Sequence, residues 1–498
     1  MQINWFSNKI LCIKKGKIMI YDRQYLKKTK IVATLGPATD SPEILLEMMR
    51  KGTDVFRINF SHADYADVKR KIETIHQLNN DHGYNTAILA DLQGPKLRIG
   101  KMEHEDFIIN PGDILTFTNE DVVGTNEKVF MTYKKFAQDV QVGENILIDD
   151  GKLIFKVIET NGTDTVKAET IQGGPLRSKK GVNLPNTNIS LPALTEKDKE
   201  DAKFAIENRV DWFALSFVRS GQDVKDLSEF IKEHGTLKIP IISKIEKPEA
   251  LENIDDILEF SDGLMVARGD LGVEVPFEIV PKAQKQLIDK AKLARKPVIV
   301  ATQMMETMIS SLTPTRAEVS DVANAVFDGA DAVMLSGETS VGQYPVQVIE
   351  KMTKILQTVE DDEHVHVPEH KPKIKNERFV TDMVCYNAAK MAEDTGAKAI
   401  ATLTYSGYTA FQISSHRPNS FILVFNPSKR INRMLNLLWG VKAINYDPRD
   451  TSTDQTVTEV NILAKNAGYV EYGDYIINLN AMPAFEKGIT NTLRISMI

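Results

Sequence analysis

The sequence predicts an α/β protein: a (β/α)8 TIM barrel with an inserted small all-β lid domain and a C-terminal α/β domain. Three observations lead there. Eight short apolar runs punctuate the first three quarters of the chain, most of them separated by stretches with helical periodicity. The interval between the third and fourth runs alternates apolar and polar residues as strands do. A polar, proline-bearing segment then leads into a second series of apolar runs.

Residues 1–27 are basic and mildly apolar and read as an N-terminal extension. They lack the continuous apolar core and small-residue cleavage site of a leader, and Met19 offers an alternative start of translation. The eight runs are KIVATLGP (30–37), DVFRINFS (54–61), TAILADLQ (86–93), WFALSFV (212–218), PIISKIE (240–246), GLMVARG (263–269), PVIVATQ (297–303) and AVMLSGE (332–338). Each has the length and apolar content of a parallel strand buried on both faces. Between them, SPEILLEMMRKG opens with Ser41 as N-cap and Pro42 in the first turn. TRAEVSDVANAVFDGA opens with Thr315 and Glu318 at capping-box spacing. PEALENIDDILEFS and PVQVIEKMTKILQTVEDDE carry apolar residues at helical spacing. An open doubly wound sheet uses the same units, but a count of eight favours closure.

The barrel is assigned to 28–94 plus 194–360. Residues 95–193, with turn signals at Pro111-Gly112, Asp150-Gly151 and Asn161-Gly162, form an inserted β-barrel lid domain on the catalytic rim. Residues 361–376 read as a linker, and its His364, His366 and His370 read as solvated in preference to a metal site. Residues 377–498 follow as the C-terminal domain, with strands near AIATLT, SFILVFN, VKAINY and DYIINLN.

Composition narrows the function. The 498 residues carry a net charge of -7, which argues against a broad nucleic-acid surface. The two cysteines, Cys12 and Cys385, exclude a disulfide framework or a cysteine-rich zinc site and fit a reducing cytosol. No apolar run approaches the roughly 18 residues of a spanning helix, so no membrane partner is expected.

The C-terminal ends of barrel strands carry the chemistry, and here they are polar. Glu246 and Asp270 stand one βα unit apart, so they cap neighbouring strands about 4.8 Å apart. Two such carboxylates without histidine or cysteine suit a hard cation, Mg2+ or Mn2+. The plainer reading is a rim pair satisfied by Lys244 and Arg268. Arg57, Arg98, Lys244 and Lys180 add positive charge, which implies polyanionic substrates bearing phosphate and carboxylate. Gly269 permits close approach of a ligand. GxxxxGK[ST] and GxGxxG are absent, so a nucleotide must be held by side chains and metal.

The motifs RINFSH, DLQGPKLR, SKKGVNLP, SKIEKPEAL, ARGDLGVE, ATQMMETM, PTRAEVSDVANAVFDGADAVMLSGETS and TNTLR occur in this order from about residue 28 to the C-terminus. Together they resemble the pyruvate kinase family. The resemblance implies phosphoryl transfer from phosphoenolpyruvate to ADP, giving pyruvate and ATP, as the last step of glycolysis in a cytoplasmic homotetramer. It implies Mg2+ or Mn2+ on Glu246 and Asp270, Lys244 at the transferring phosphoryl and the enolate, and Arg57 on the phosphoryl group. Gly269 and Asp270 would bind the substrate carboxylate through their backbone, and Thr302 would serve protonation of the enolate. His62, Arg98 and Lys180 would bind the nucleotide. A K+ site would match Asn59, Ser61, Asp91 and the carbonyl of Leu92.

Two departures stand out. Where K+-dependent members read DTxGPE, this chain reads DLQGPK, so Lys96 is expected to stand in for the monovalent cation and K+ to be dispensable. In the C-terminal domain, Thr404, Ser406, Gly407 and Thr409 resemble the family's effector phosphate cradle, though a helix cap explains them equally well. The final loop NAMPAFEKGITNT places Met482, Pro483, Phe485 and Glu486 where fructose-1,6-bisphosphate responders are glycine-rich. A sugar monophosphate, an AMP-type ligand or no effector is therefore expected. Another phosphoenolpyruvate-handling barrel lacks the lid and SKKGVNLP. A silent sugar-phosphate sensor would be expected to lose Lys244, Glu246, Asp270 or Thr302, which are all present.

Overall fold

The computed structural model describes residues 9–14, 17–22, 25–365, 371–373, 376–447, 452–482 and 488–498, with the backbone alone at 9–14, 17–22, 62 and 363. Eight parallel strands close into a barrel: Lys30–Thr34, Val55–Asn59, Ala87–Leu92, Trp212–Leu215, Ile241–Ile245, Gly263–Ala267, Val298–Ala301 and Ala332–Leu335. Closure pairs the eighth strand with the first, with Ala332 opposite Lys30. Period-two patterning persists inside these buried runs. Ile31, Ala33, Phe56, Ile58, Ile88 and Ala90 pack with helix residues such as Leu45, Met48 and Ile72. Val32, Val55, Leu89, Ile242, Met265, Ile299 and Met334 belong to a second, interior cluster.

The strands stop earlier than the apolar runs suggest. GLMVARG leaves the ladder at Ala267 because Arg268–Glu274 turns directly into a helix, and AVMLSGE ends at Leu335 before the helix Gly337–Ser340. Phe217, Thr302 and Gln303, just past the fourth and seventh strands, have φ of 56°, 70° and 54°, a conformation that no continuing strand tolerates. PEALENIDDILEFS forms two helices, Pro248–Glu252 and Ile254–Phe260. They meet at Asn253, whose side-chain amide donates to the Arg219 carbonyl at 3.0 Å. The caps follow the sequence: Ser41 accepts from the Ile44 amide, and Thr315 and Glu318 form a capping box.

Between the third and fourth barrel strands, Val182–Asn183, Asn145–Ile148, Leu153–Thr160, Thr165–Gln172, Ile114–Thr118 and Lys128–Phe130 form one sheet in that spatial order. Gly174–Leu176 pairs separately with Phe107–Ile109. The six-stranded sheet stands beside the two-stranded one, and the segment around Arg98 links its two edges, Arg98 bridging to Gly181 and Ile99 to Met131. Its own core includes edge-to-face contacts of Phe117 with Phe136 and Phe155.

The barrel floor repeats one device four times. Asp54, Asp211, Asp262 and Asp331 precede the even-numbered strands. Each accepts a hydrogen bond from an amide at the start of the preceding strand: Ile31, Ile88, Ile241 and Val298, at 2.9–3.1 Å. Two of them also hold the C-terminal domain, Asp211 through Arg433 at 3.0 Å and Asp331 through Arg417 at 3.1 Å. The Trp212 indole donates to the Met434 carbonyl and the Lys30 ammonium to that of Val441. Leu435, Leu437 and Leu438 join the barrel's interior cluster, so the C-terminal domain plugs the floor.

That domain orders four parallel strands Val441–Asn445, Phe421–Asn426, Ala399–Leu403 and Tyr475–Asn480, and adds Thr492–Met497 antiparallel at the edge. The fifth strand was not read as a strand from the sequence, because TLRISM is half-exposed and carries little apolar pattern. In the linker, Glu363–Val365 forms a turn of 3-10 helix, and the exposed His364 ring lies 2.7 Å from Asp362. His366 and His370 lie outside the described residues.

Burial holds the Asp211 carboxyl above its ordinary range, against the opposing pull of Arg433. Arg433→Ala strands that carboxylate without its cation and is expected to cost about 3 kcal/mol. The measurement is the urea midpoint, which Arg433→Lys should lower less.

Candidate active site

The strand ends converge on a buried charge cluster at the barrel mouth. Lys244, on the fifth strand, is its centre. Its ammonium donates to Ser216 Oγ at 2.7 Å and lies 2.9 Å from Glu246 and 3.3 Å from Asp91. Burial alone would lower its pKa, but Asp91, Glu246 and Asp270 outweigh burial and raise it, so the lysine is a fixed cation. Asp91 is the penultimate residue of the third strand. Its other oxygen accepts from Arg57 Nε at 2.6 Å, and Arg57 Nη1 also donates to Thr34 Oγ1 at 3.1 Å. Despite its burial, these cations hold the Asp91 carboxyl below its ordinary range.

Glu246 follows the fifth strand and is 1% exposed. It also accepts from the Phe217 amide at 2.8 Å, and the left-handed turn at Phe217 forms there. Burial pushes its carboxyl up to about 6; Lys244 opposes the shift and Asp270 adds to it. Asp270 stands in the first turn of the helix Arg268–Glu274 on the next element round the barrel. Arg268 does not satisfy it. Its guanidinium makes two 2.7 Å contacts with Asp321 and donates to the carbonyl of Thr302 at 2.6 Å, holding the seventh strand's loop. The cluster therefore contains two cations, Arg57 and Lys244, against three carboxylates, Asp91, Glu246 and Asp270. Burial raises the Glu246 carboxyl and the nearby Asp270 charge adds to it, and a hard cation fits the excess negative charge. Among the described residues no three His, Cys, Asp or Glu side chains converge as metal ligands, so oxygens of a substrate and water must complete any coordination shell.

Thr302 Oγ1 donates to the Ala301 carbonyl at 2.6 Å and accepts from the Gly269 amide at 2.8 Å. The consecutive left-handed residues Thr302 and Gln303 are costly for non-glycine residues, and such strain concentrates at functional sites. Three of the residues matched to a K+ site accept from protein donors: Asn59 Oδ1 from the Ser61 amide, Asp91 from Arg57, and the Leu92 carbonyl from Ser216 Oγ at 2.7 Å. Lys96 is exposed, and its stem lies beside Gly181 of the lid. It lines a cleft between lid and barrel together with Asp270.

Arg98 and Gly181 bridge the two connections that enter and leave the lid, which brings Arg98 and Lys180 together. Arg98 donates to the Lys179 carbonyl and Lys180 pairs with Asp149, each at 2.9 Å. Only the backbone of His62 is described, just past the second strand. Arg219, just past the fourth strand, donates to the carbonyls of Ile189 and Leu191 and clamps the chain returning from the lid. Sequence reasoning missed Thr34 and the Phe217 amide. Threonine on a buried strand and a main-chain N–H carry no distinctive residue signal.

In the C-terminal domain, Thr404, Ser406 and Thr409 line one cleft with Arg378, Thr453 and Thr490. Gly407, at φ 90°, caps the helix Tyr408–Ser415, and its amide donates to Thr404 Oγ1. Met482 exchanges two hydrogen bonds with the Asn491 side chain at the cleft's edge; Pro483, Phe485 and Glu486 lie outside the described residues.

Comparison with known proteins agrees with this architecture. Residues 26–349 match the family model described as pyruvate kinase, barrel domain, and 382–496 that of pyruvate kinase, alpha/beta domain. The chain is 42% identical over 478 residues to a pyruvate kinase of Clostridium perfringens, covering 95% of this chain and 100% of the relative. It is 41% identical over 477 residues to that of Geobacillus stearothermophilus, covering 95% and 80%. A crystal structure of a pyruvate kinase from Cryptosporidium parvum superposes with a TM-score of 0.87 at 34% identity, covering 95% of this chain and 96% of that one. A closed barrel with a charged mouth, a β lid, a C-terminal α/β domain and both family models place this chain in the pyruvate kinase family of phosphotransferases.

Proposed function

We propose that the protein transfers the phosphoryl group of phosphoenolpyruvate to ADP, giving pyruvate and ATP. The observation that carries this reading is the buried Lys244, fixed between Asp91 and Glu246 beside Arg57 in a mouth with one carboxylate in excess. Arg57 and Lys244 hold the phosphoryl oxygens. The substrate carboxylate replaces Thr302 Oγ1 as acceptor from the Gly269 amide, which frees the hydroxyl. An oxygen of the ADP β-phosphate attacks phosphorus, and the bond from phosphorus to the enol oxygen breaks. Lys244 stabilises the enolate charge. Thr302 orders the water that protonates the enolate carbon. Mg2+ or Mn2+ on Glu246 and Asp270 supplies electrophilic stabilisation of the transferring group. Arg98 and Lys180 take the nucleotide phosphates as Lys180 exchanges Asp149 for them, with His62 nearby. The lid keeps water from competing with ADP.

The same reading makes K+ dispensable. Asp91 is already engaged by Arg57 and Lys244, and Lys96 adds a resident ammonium after the same strand. The C-terminal cleft takes a phosphorylated ligand at Thr404, Ser406, Gly407 and Thr409, a sugar monophosphate or AMP-type molecule in preference to fructose 1,6-bisphosphate. The working unit is a homotetramer.

The decisive assay is pyruvate formation from phosphoenolpyruvate, ADP and Mg2+ in tetramethylammonium buffer, with and without K+. Full turnover without K+ is expected. A several-fold rise on adding K+ rejects the Lys96 reading, and no turnover in either buffer by folded protein rejects the reaction. Lys244→Met should lower kcat by about a hundred- to a thousand-fold. In metal-free protein, Glu246 binds its proton more tightly folded than unfolded. Its contribution to stability is therefore complete below about pH 4.5 and is lost as pH rises to about 6, amounting to about 2 kcal/mol. Glu246→Gln should remove that slope in denaturation measured across this range.

A further inference from the structure

A second cluster lies where the lid meets the barrel. Glu274 ends the helix Arg268–Glu274, and its side chain is 1% exposed. Its Oε1 accepts from Asn183 Nδ2 of the lid at 2.8 Å and lies 2.8 Å from Lys247 Nζ, which is 6% exposed. Its Oε2 is buried and has no hydrogen-bond partner among the described residues. All the compensation of this carboxylate thus falls on one oxygen, so loss of either donor is felt in full.

The placement of these groups gives the cluster its meaning. Lys247 directly follows Glu246, and Glu274 stands one helical turn after Asp270. The pair Lys247–Glu274 therefore ties together the two elements that carry the metal carboxylates. Asn183 adds the lid to that tie. It lies on the strand Val182–Asn183, three residues after Lys180. The Val182 amide donates to the Leu97 carbonyl and the Asp149 amide to that of Gly181, so this strand moves with the segment bearing Arg98 and Lys180. If the lid swings away, Asn183 leaves and the Lys247–Glu274 pair stays within the barrel.

We infer that Asn183, Glu274 and Lys247 form a latch that docks the lid onto the barrel and, in docking, fixes the spacing of Glu246 and Asp270. They are positioning residues, and the inference rests on the proposed reaction only for what those carboxylates hold. Closing the lid over the nucleotide and tightening the metal site are then one event.

A charge-exchange cycle tests this. Asn183→Asp sets a carboxylate against Glu274. Asn183→Asp/Glu274→Gln moves the negative charge onto the lid, where Lys247 can pair with it and the new amide can donate to it. Wild type, both single variants and the double variant are compared for kcat, for Mn2+ binding without substrates followed by electron paramagnetic resonance, and for amide exchange at 181–183. Asn183→Asp is expected to lower kcat by about thirtyfold, to weaken Mn2+ binding severalfold and to speed exchange; the double variant should return all three to within about threefold of wild type. Simple multiplication of the two single effects overturns the latch, and so does Mn2+ binding or exchange unmoved by Asn183→Asp. If wild type itself forms no pyruvate, the proposed reaction fails, while the Mn2+ and exchange measurements still decide the latch.

Discussion

The mouth of the barrel is organised by the need to bury an ammonium ion. Lys244 is 9% exposed, and a charge there is tolerated only with close opposite charge and full hydrogen bonding. Asp91 and Glu246 provide the charge, and Ser216 accepts the remaining hydrogen bond. Each partner then needs its own support. Asp91 takes Arg57, which reaches to Thr34; Ser216 passes its proton donor to the Leu92 carbonyl; Glu246 takes the Phe217 amide. The left-handed Phe217 is thus held where it is because the Glu246 carboxylate needs that N–H. Five of the eight strand ends are fixed by satisfying one lysine, and the remaining negative charge is left for a cation to neutralise.

The opposite end of the barrel solves a different problem with the same chemistry. The amides at the start of the odd strands face the floor, where one aspartate per strand pair accepts from them. These carboxylates are then themselves in need of cations. Lys27 and Lys30 meet Asp54, Arg433 meets Asp211, and Arg417 meets Asp331, while the more peripheral Asp262 takes the exposed Lys238. The C-terminal domain is docked by this demand as much as by the apolar plug of Leu435, Leu437 and Leu438.

Most of the fold was legible because the barrel repeats. Eight apolar runs, one β-alternating interval and capping signals at Ser41 and Thr315 each have a local cause that the sequence carries. The limits of the strands were not legible. Ala267 and Leu335 are followed at once by helix, and apolar periodicity alone does not say where a ladder ends. The edge strand Thr492–Met497 escaped for a related reason: half-exposed, it depends on backbone pairing with Tyr475–Asn480 more than on burial. At the site, the charged residues were nameable because carboxylates and lysines on a barrel rim are conspicuous. Their partners were not. Arg268 was the natural mate for Asp270 by proximity in sequence, yet tertiary structure gives it Asp321, 53 residues away on the helix Arg316–Asp328. Asn183 and Glu274, 91 residues apart, become neighbours only once the lid is placed.

The fourth barrel strand joins the two ends of this account. At its base, Asp211 meets Arg433 and the Trp212 indole meets the Met434 carbonyl, so the strand is gripped by the helix Lys429–Leu435. That helix starts at Ser428, whose amide donates to Asn426 Oδ1, and the Asn426 side-chain amide donates to the carbonyls of Thr404 and Tyr405 at the C-terminal cleft. At its top, four residues after Trp212, stand Ser216 and then Phe217, the contacts of Lys244 and Glu246. A strand buried on both faces is stiff and close-packed, so a shift at one end cannot be absorbed along its length. One strand thus has its base set by the domain that carries the cleft and its tip set by the charges at the mouth.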